Sequence, residues 1–280
     1  LLPALCAGWD LKKEWELPEG NEVHRFAELH QKVFAGKTVH VDSPNGRFAD
    51  AGMLDGRKLK SVEAVGKHLG YVFGKDLTLH VHLGRFGDFT EGRMPLPAVK
   101  GVLRMRMWTS RDWLELRGAT DISVYSDDKW AKLLQRLGPD PLRKDADPTP
   151  AFEIIRERKT PIGALLMDQS ILAGIGNIYR AELLFRAKIN PHRPGMDVDE
   201  KALKAIWKDA VTLMPDGMVD RRIVTTRPKD RPHPKGPAED SEVHYAYHRT
   251  GKPCWVCGTK IEKGDMAGRT VYWCSQCQKN

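Results

Sequence analysis

Four of the five cysteines fall in the last forty residues as two Cys-x-x-Cys pairs, Cys254/Cys257 and Cys274/Cys277, separated by sixteen residues. Two knuckles presenting four thiolates make the closed tetrahedral site that Zn²⁺ favours, so this spacing predicts a metal-stapled segment. Gly258 follows the first knuckle, and the β-prone run Arg269-Thr-Val-Tyr-Trp273 enters the second, which predicts a zinc-bound β-hairpin. With every position filled by thiolate, the one zinc is structural and leaves no open coordination site for chemistry. Two disulfides or four unrelated thiols are the alternatives; paired Cys-x-x-Cys without a secretory signal favours metal.

A chain of 280 residues, 41% hydrophobic, is too long for a lone ribbon and long enough for two modest cores, so any catalysis belongs upstream. The formal charge of +8 suggests a polyanionic partner such as nucleic acid. No apolar run approaches the roughly 20 residues needed to span a bilayer, and the opening Leu-Leu-Pro-Ala-Leu-Cys-Ala lacks a basic leader, so an intracellular protein is expected. Cys6 is the one unpaired cysteine and reads as incidental.

After Pro18-Glu-Gly-Asn-Glu22, apolar positions at Val23, Phe26, Ala27, His30 and Val33 or Phe34 predict an amphipathic helix that Gly36 stops. From Thr38 to Tyr125 the pattern changes to short β-prone runs, 38–42, 77–83, 102–108 and 122–125, punctuated by Gly and Asp as in a β-sandwich. Gly138-Pro-Asp-Pro141 and the Lys/Asp/Pro-rich stretch to Pro150 read as a linker. Ala151 to about Met214 is helical in periodicity, and residues 215–240 read as a loop rich in Pro and basic side chains.

Within the helical block, Asp168-Gln-Ser-Ile-Leu-Ala-Gly-Ile-Gly-Asn-Ile-Tyr179 places Gly174 and Gly176 in a tight turn between two helical patterns. Asn177 stands where an N-cap is expected, so the second helix could offer free amides and its positive dipole end to a phosphate. An ordinary helical hairpin with a glycine turn accounts for the same residues equally well.

Together these features resemble the formamidopyrimidine-DNA glycosylase/endonuclease VIII family of base-excision repair enzymes. The likeness runs from Pro18 to Gln278 and rests on Pro18-Glu-Gly-Asn-Glu-Val-His-Arg25, Gly66-Lys67, the 168–179 turn and the ribbon ending with Gly268-Arg269 and Gln278. It implies an α+β multidomain fold: an N-terminal β-sandwich with its amphipathic helix, a helix-two-turn-helix domain and a C-terminal zinc-ribbon hairpin. The expected division is an extension at 1–17, a catalytic sandwich at 18–135, a linker at 136–150, a DNA-binding helical domain at 151–243 and a zinc finger at 244–280.

The resemblance also implies the chemistry. Pro18, as a chain terminus, offers a secondary amine that attacks the sugar C1′ and forms an iminium. Glu19 would shuttle protons, Glu22 would orient the amine, and Lys67 would act in base release; on its own residue type, Lys67 reads first as a solvated charge on a hairpin, and only the resemblance gives it a role. Asn177 and Arg269 are the phosphate-contacting positions. His82-Leu-Gly-Arg-Phe-Gly87 is similar to the family's wedge loop, with Arg85 and Phe86 as the candidates to fill the hole left by an extruded nucleotide, although an exposed Arg on a β-turn gives the same sequence. A second wedge loop, found in members that act on guanine lesions, has no match at Leu116-Arg-Gly-Ala-Thr120, which tilts the expected substrate toward oxidised pyrimidines. What is implied is a cytoplasmic bacterial enzyme, associated with the nucleoid when bound to DNA. It would be a monomer whose partner is damaged double-stranded DNA, with single-stranded or bubble DNA left open.

The first seventeen residues depart from this pattern. An internal Pro18 has a tertiary amide nitrogen whose lone pair is in resonance, and such a nitrogen cannot attack C1′. The expectation is that Leu17 marks the true start, read as Met and then removed to expose Pro18. A retained extension would instead make the chain a damaged-DNA-binding protein without lyase activity, and an unrelated zinc-ribbon nucleic-acid-binding protein is the remaining alternative.

Overall fold

The computed structural model describes residues 18–279; the expectations for the 1–17 extension and for Cys6 lie outside the described residues. The chain divides into two compact units. One comprises Val23–Leu134 together with Pro18, and the other joins Glu19–Glu22 to the chain from Gln135 onward.

The first unit opens with α1 (Gly20–Phe34), of which only the first turn is assigned to the other unit. Its apolar stripe is the one the spacing predicts: Val23, Phe26, Ala27, His30 and Phe34 are all buried. Gly36 ends it in the left-handed region, φ +80°, and donates its amide to the Leu59 carbonyl. The chain continues through β1 (Thr38–Asp42), α2 (Ala51–Leu54), β2 (Arg57–Lys58), β3 (Ser61–Val65), β4 (His68–Gly74), β5 (Leu77–His82), β6 (Asp88–Arg93), β7 (Met105–Trp108), β8 (Asp112–Arg117), β9 (Asp121–Tyr125) and α3 (Asp127–Gln135). The strands form two antiparallel sheets, ordered β2-β1-β7-β8-β6 and β3-β4-β5-β9. One core joins them to α1: Val39, Val41, Met107 and Leu114 come from the first sheet and Leu69, Tyr71, Leu79 and Val81 from the second. Fully buried leucines such as Leu79 each stabilise this core by about 2–5 kcal/mol relative to alanine.

β5 is buried on both faces. Leu77, Leu79 and Val81 belong to the core, while His80 alternates to the opposite face and meets Trp130 of α3 at a tilt, with ring centroids 5.9 Å apart. The strand expected over 102–108 is shorter, beginning at Met105, because Arg104 only bridges to Leu116 through its amide and Leu103 is held by the Asn45 side chain.

The second unit contains α4 (Thr149–Arg156), α5 (Ile162–Leu165), α6 (Asn177–Ala187), α7 (Glu200–Asp220) and a terminal hairpin of β10 (Glu262–Met266) and β11 (Arg269–Trp273). Gly138–Asp140, read as linker, is docked: the Gly138 amide donates to Gln169, the Pro139 carbonyl accepts from Ala173, and Asp140 is buried. α6 is buried around nearly its whole circumference, from Ile178 to Phe185, which makes it the central helix of this unit. α7 is capped by Asp199, whose carboxylate accepts from the Ala202 amide at 2.7 Å. It corrects the expected loop at 215–240, because the helix runs through Pro215 to Asp220; Met214 and Gly217 are buried on this last stretch, and packing overrides the local breaker.

Candidate active site and metal centre

Glu19 is 2% exposed, and its carboxylate sits on the start of α6. One oxygen accepts from the Ile178 amide at 2.7 Å, and the other accepts from Gly176 at 2.9 Å and Tyr179 at 3.3 Å. These amides belong to the helix's first turn, where no intrahelical acceptor exists and the dipole favours negative charge. Gly176 is glycine for a steric reason: a Cβ there would lie 2.2 Å from the Glu19 side-chain carboxyl carbon. Next to this contact, the Gly20 amide donates to Gly174, whose φ of +88° closes the turn. The structure therefore gives to a protein carboxylate three amides that the glycine turn was expected to offer to a phosphate. Asn177 is correspondingly the first residue of α6, and the extended Gly176 precedes it as the cap.

The Asn177 side chain is fixed at both ends. Its Nδ2 donates to the Thr270 carbonyl at 3.1 Å, and its Oδ1 accepts from Arg180. Arg180 also donates to the Thr270 carbonyl at 2.8 Å, so the start of α6 is tied to β11 one residue after Arg269. Arg269 is exposed and pairs with Met266 across a tight turn in which Ala267 and Gly268 both have positive φ, the geometry that suits a two-residue hairpin. The structure thus brings Glu19, Asn177 and the Arg269 hairpin together. Arg180 was not singled out in the sequence. Burial lowers its pKa to about 10, against the pull of the Glu19 charge, and two of its guanidinium nitrogens have no partner among the described residues. The available signal was an arginine three residues after Asn177, on the same face of the helix start. Glu22 is half-buried in the first turn of α1, with its amide donating to the Glu19 carbonyl.

Lys67, Arg85 and Phe86 lie in the sandwich unit. Lys67 is in the turn joining β3 to β4, with Gly66 at φ +58° and Val65 paired to His68. Arg85 and Phe86 sit between β5 and β6 in a turn closed by the Gly87 amide donating to Leu83. Phe86 is 79% exposed, an unusual position for a large aromatic, and the Arg85 guanidinium lies 5.7 Å from its ring centre. The connection from β8 to β9 is only Gly118–Thr120.

The four ribbon cysteines cluster, with all Sγ atoms within 4.8 Å of one another. The Cys254–Cys277 and Cys257–Cys274 separations are 3.9 and 3.5 Å. Tetrahedral Zn–S bonds of about 2.3 Å require sulfurs about 3.8 Å apart, so the donor set fits one such ion. The second knuckle is anchored by Gln278, which accepts from the Cys274 amide through its side chain and donates to the Ile189 carbonyl beyond the end of α6.

Residues 17–120 match the family model described as the formamidopyrimidine-DNA glycosylase N-terminal domain, and residues 137–227 match that of the formamidopyrimidine-DNA glycosylase H2TH domain. Endonuclease 8 1 of Mycobacterium tuberculosis is 45% identical over 267 residues, covering 94% of this chain and all of that protein. Formamidopyrimidine-DNA glycosylase of Thermus thermophilus is 29% identical over 265 residues, covering 94% of this chain and 98% of that protein. Among solved structures, Lactococcus lactis Fpg in complex with DNA containing an abasic site superposes with a TM-score of 0.78 at 22% identity, over 94% of this chain and all of that one.

Proposed function

The chain belongs to the formamidopyrimidine-DNA glycosylase/endonuclease VIII family, and from that premise we propose how its residues share the work of a bifunctional DNA glycosylase/AP lyase in base-excision repair. Its partner is damaged double-stranded DNA. The observation that carries the reading is the Glu19 cradle. A buried carboxylate, pinned by three amides, is covalently next to Pro18, the one residue whose backbone nitrogen becomes a secondary amine when it stands at a chain terminus.

In this reading the Pro18 nitrogen attacks C1′ of the damaged nucleotide with its lone pair as the C1′–N bond to the base breaks; the nitrogen then loses its proton, and the electron pair so freed forms the iminium π bond as the C1′–O4′ bond breaks and O4′ is protonated. Glu19 moves the proton that ring opening requires, and Glu22 orients the amine. Loss of the C2′ proton then expels the 3′ phosphate by β-elimination, and a second elimination releases the 5′ phosphate. Lys67 acts in base release. Asn177 and Arg269 hold phosphates, and Arg85 or Phe86 fills the vacated stack. The three-residue β8–β9 connection leaves no room for a long second wedge loop, which supports oxidised pyrimidines as the lesion class. The four thiolates hold one structural zinc. No described helix is long and apolar enough to cross a membrane, and the proposed setting is the cytoplasm, on nucleoid DNA.

The test is borohydride trapping. Protein beginning at Pro18 is expected to give a covalent adduct with abasic DNA, and protein retaining residues 1–17 is not. Glu19→Gln should lose base excision while keeping some cleavage of abasic sites. Undiminished trapping by the verified extended chain would exclude Pro18 as nucleophile, and DNA binding without trapping by either form would favour the non-catalytic damage-binding reading.

A further inference from the structure

The outer face of the β3-β4-β5-β9 sheet carries a polar ladder that the proposed chemistry leaves unused. Register sets His68 opposite His82 and Gly70 opposite His80 across β4 and β5, then His80 opposite Ser123 and His82 opposite Asp121 across β5 and β9. Because side chains alternate, His68, His80, His82, Asp121 and Ser123 share one face. α3 closes over part of it. The absence of a Cβ at Gly70 admits Trp130, which would otherwise lie 2.6 Å from that atom, and the Trp130 indole N–H is fixed on Glu63 at 2.9 Å. Under this cover His80 is buried, with the tilted Tyr125 ring centred 4.6 Å away.

A linear hydrogen-bond chain crosses the three strands. Ser123 donates to one Asp121 oxygen at 2.7 Å; the other oxygen faces His80 Nδ1 at 3.0 Å, and His80 Nε2 faces His68 Nδ1 at 2.9 Å. A carboxylate only accepts, so His80 must carry its proton on Nδ1. Burial pushes the His80 pKa down to about 4, so at neutral pH the ring holds no second proton and its Nε2 is an acceptor. His68 must then donate from Nδ1, and its neutral form carries the lone pair on Nε2. His68 is the residue immediately after Lys67 and closes that turn. The Lys67 charge is near enough to contribute, after burial, to lowering the pKa of His82, whose ring lies 4.9 Å from that of His68.

We propose that Asp121 and His80 are positioning residues for Lys67, acting through His68: the chain clamps the β3–β4 turn and fixes His68, the lysine's neighbour in the chain, as an Nδ1–H donor. This rests on Lys67 taking part in base release, as proposed above.

Asp121→Asn tests it. The Asn oxygen can still accept from Ser123, but its NH₂ would face His80 Nδ1. That forces the proton of His80 to Nε2, and the clash of donors forces that of neutral His68 to Nε2 as well. Imidazole ¹⁵N spectra at neutral pH should show Nδ1–H tautomers at both histidines in the parent and inverted tautomers in the variant. Single-turnover release of a damaged base should fall about tenfold, with cleavage of a pre-formed abasic site and the melting temperature unchanged. In a Lys67→Ala background the same substitution should have no further effect. Equal slowing in both backgrounds, or tautomers that do not invert, would overturn the proposal. If Lys67→Ala alone leaves base release intact, the role given to Lys67 falls, and the spectra alone decide the relay. Should Asp121→Asn not fold, His68→Asn keeps a donor toward His80 and should retain base release better than His68→Leu; the reverse order would overturn the clamp.

Discussion

The carboxylate of Glu19 and the amide of Ile178 meet at 2.7 Å, although 159 residues of chain separate them. The first residue after Pro18 is therefore located by the start of α6, and a change in that helix's entry turn should be felt in the chemistry.

Gly176→Ala is the direct check. The added Cβ would fall 2.2 Å from the Glu19 carboxyl carbon, and relieving that overlap is expected to cost roughly 1–3 kcal/mol and to shift the carboxylate. Thermal melting should register a modest loss, and single-turnover base excision a loss of more than tenfold. A variant with parental excision rate would mean that the cradle does not fix a reacting group.

Metal removal should act on DNA grip. Asn177 and Arg180 both bond the Thr270 carbonyl, so loosening the ribbon releases the start of α6 as well as Arg269. Cys274→Ser or chelation should weaken binding to abasic duplex roughly tenfold or more while the sandwich unit keeps its circular-dichroism signature. Full affinity in metal-free protein would separate the two.

Arg85 and Phe86 are predicted to matter only when a nucleotide must be extruded. Replacing both with alanine should slow base removal from duplex DNA by roughly ten- to a hundredfold, the equivalent of the few kcal/mol that flipping costs. Cleavage of a pre-formed abasic site should change much less. Equal slowing of the two reactions would count against a wedge.

His80 makes the fold acid-sensitive. Its folded pKa, about 4, lies below the unfolded value near 6.5, so the unfolded chain binds the extra proton first. Stability from this group is present above pH 6.5 and is lost as pH falls toward 4, by up to about 3 kcal/mol. Urea titrations across that window should show a shallower loss in His80→Gln than in the parent. Identical slopes would indicate that His80 is not buried neutral.

The parts legible in the sequence are those whose signal is local. The α1 stripe follows from five positions, and the thiol cluster from spacing alone, because a tetrahedral ion demands it. β6 and β8 are hard to read from the sequence because Asp88, Glu91, Arg93, Asp112, Glu115 and Arg117 break the apolar alternation, and the sheet supplies partners across strands: Arg117 donates to Thr90 at 3.2 Å, and Arg93 pairs with Asp112 at 3.2 Å. The Glu19 cradle and the Asp121–His80–His68 chain depend on register and on contacts across tens to more than a hundred residues, which no periodicity reports. A helix interrupted by Pro215 reads as ended until its buried face is known.

Glu182 ties α6 to the cysteine-bearing segment. Wholly buried on α6, its carboxylate accepts the successive amides of Tyr245, Ala246 and Tyr247, while Asn190 and Ile189 bind Gln278 at the far end of the ribbon. The cysteine-bearing segment is therefore not a cassette. Deleting it would strand a charge in the middle of the second unit's core, and grafting a foreign finger would have to reproduce three amides as well as four thiols. Recombination within this architecture should leave folding intact when surface turns such as Arg85-Phe86 are exchanged, whatever the effect on base removal, but not after a crossover between α6 and the ribbon.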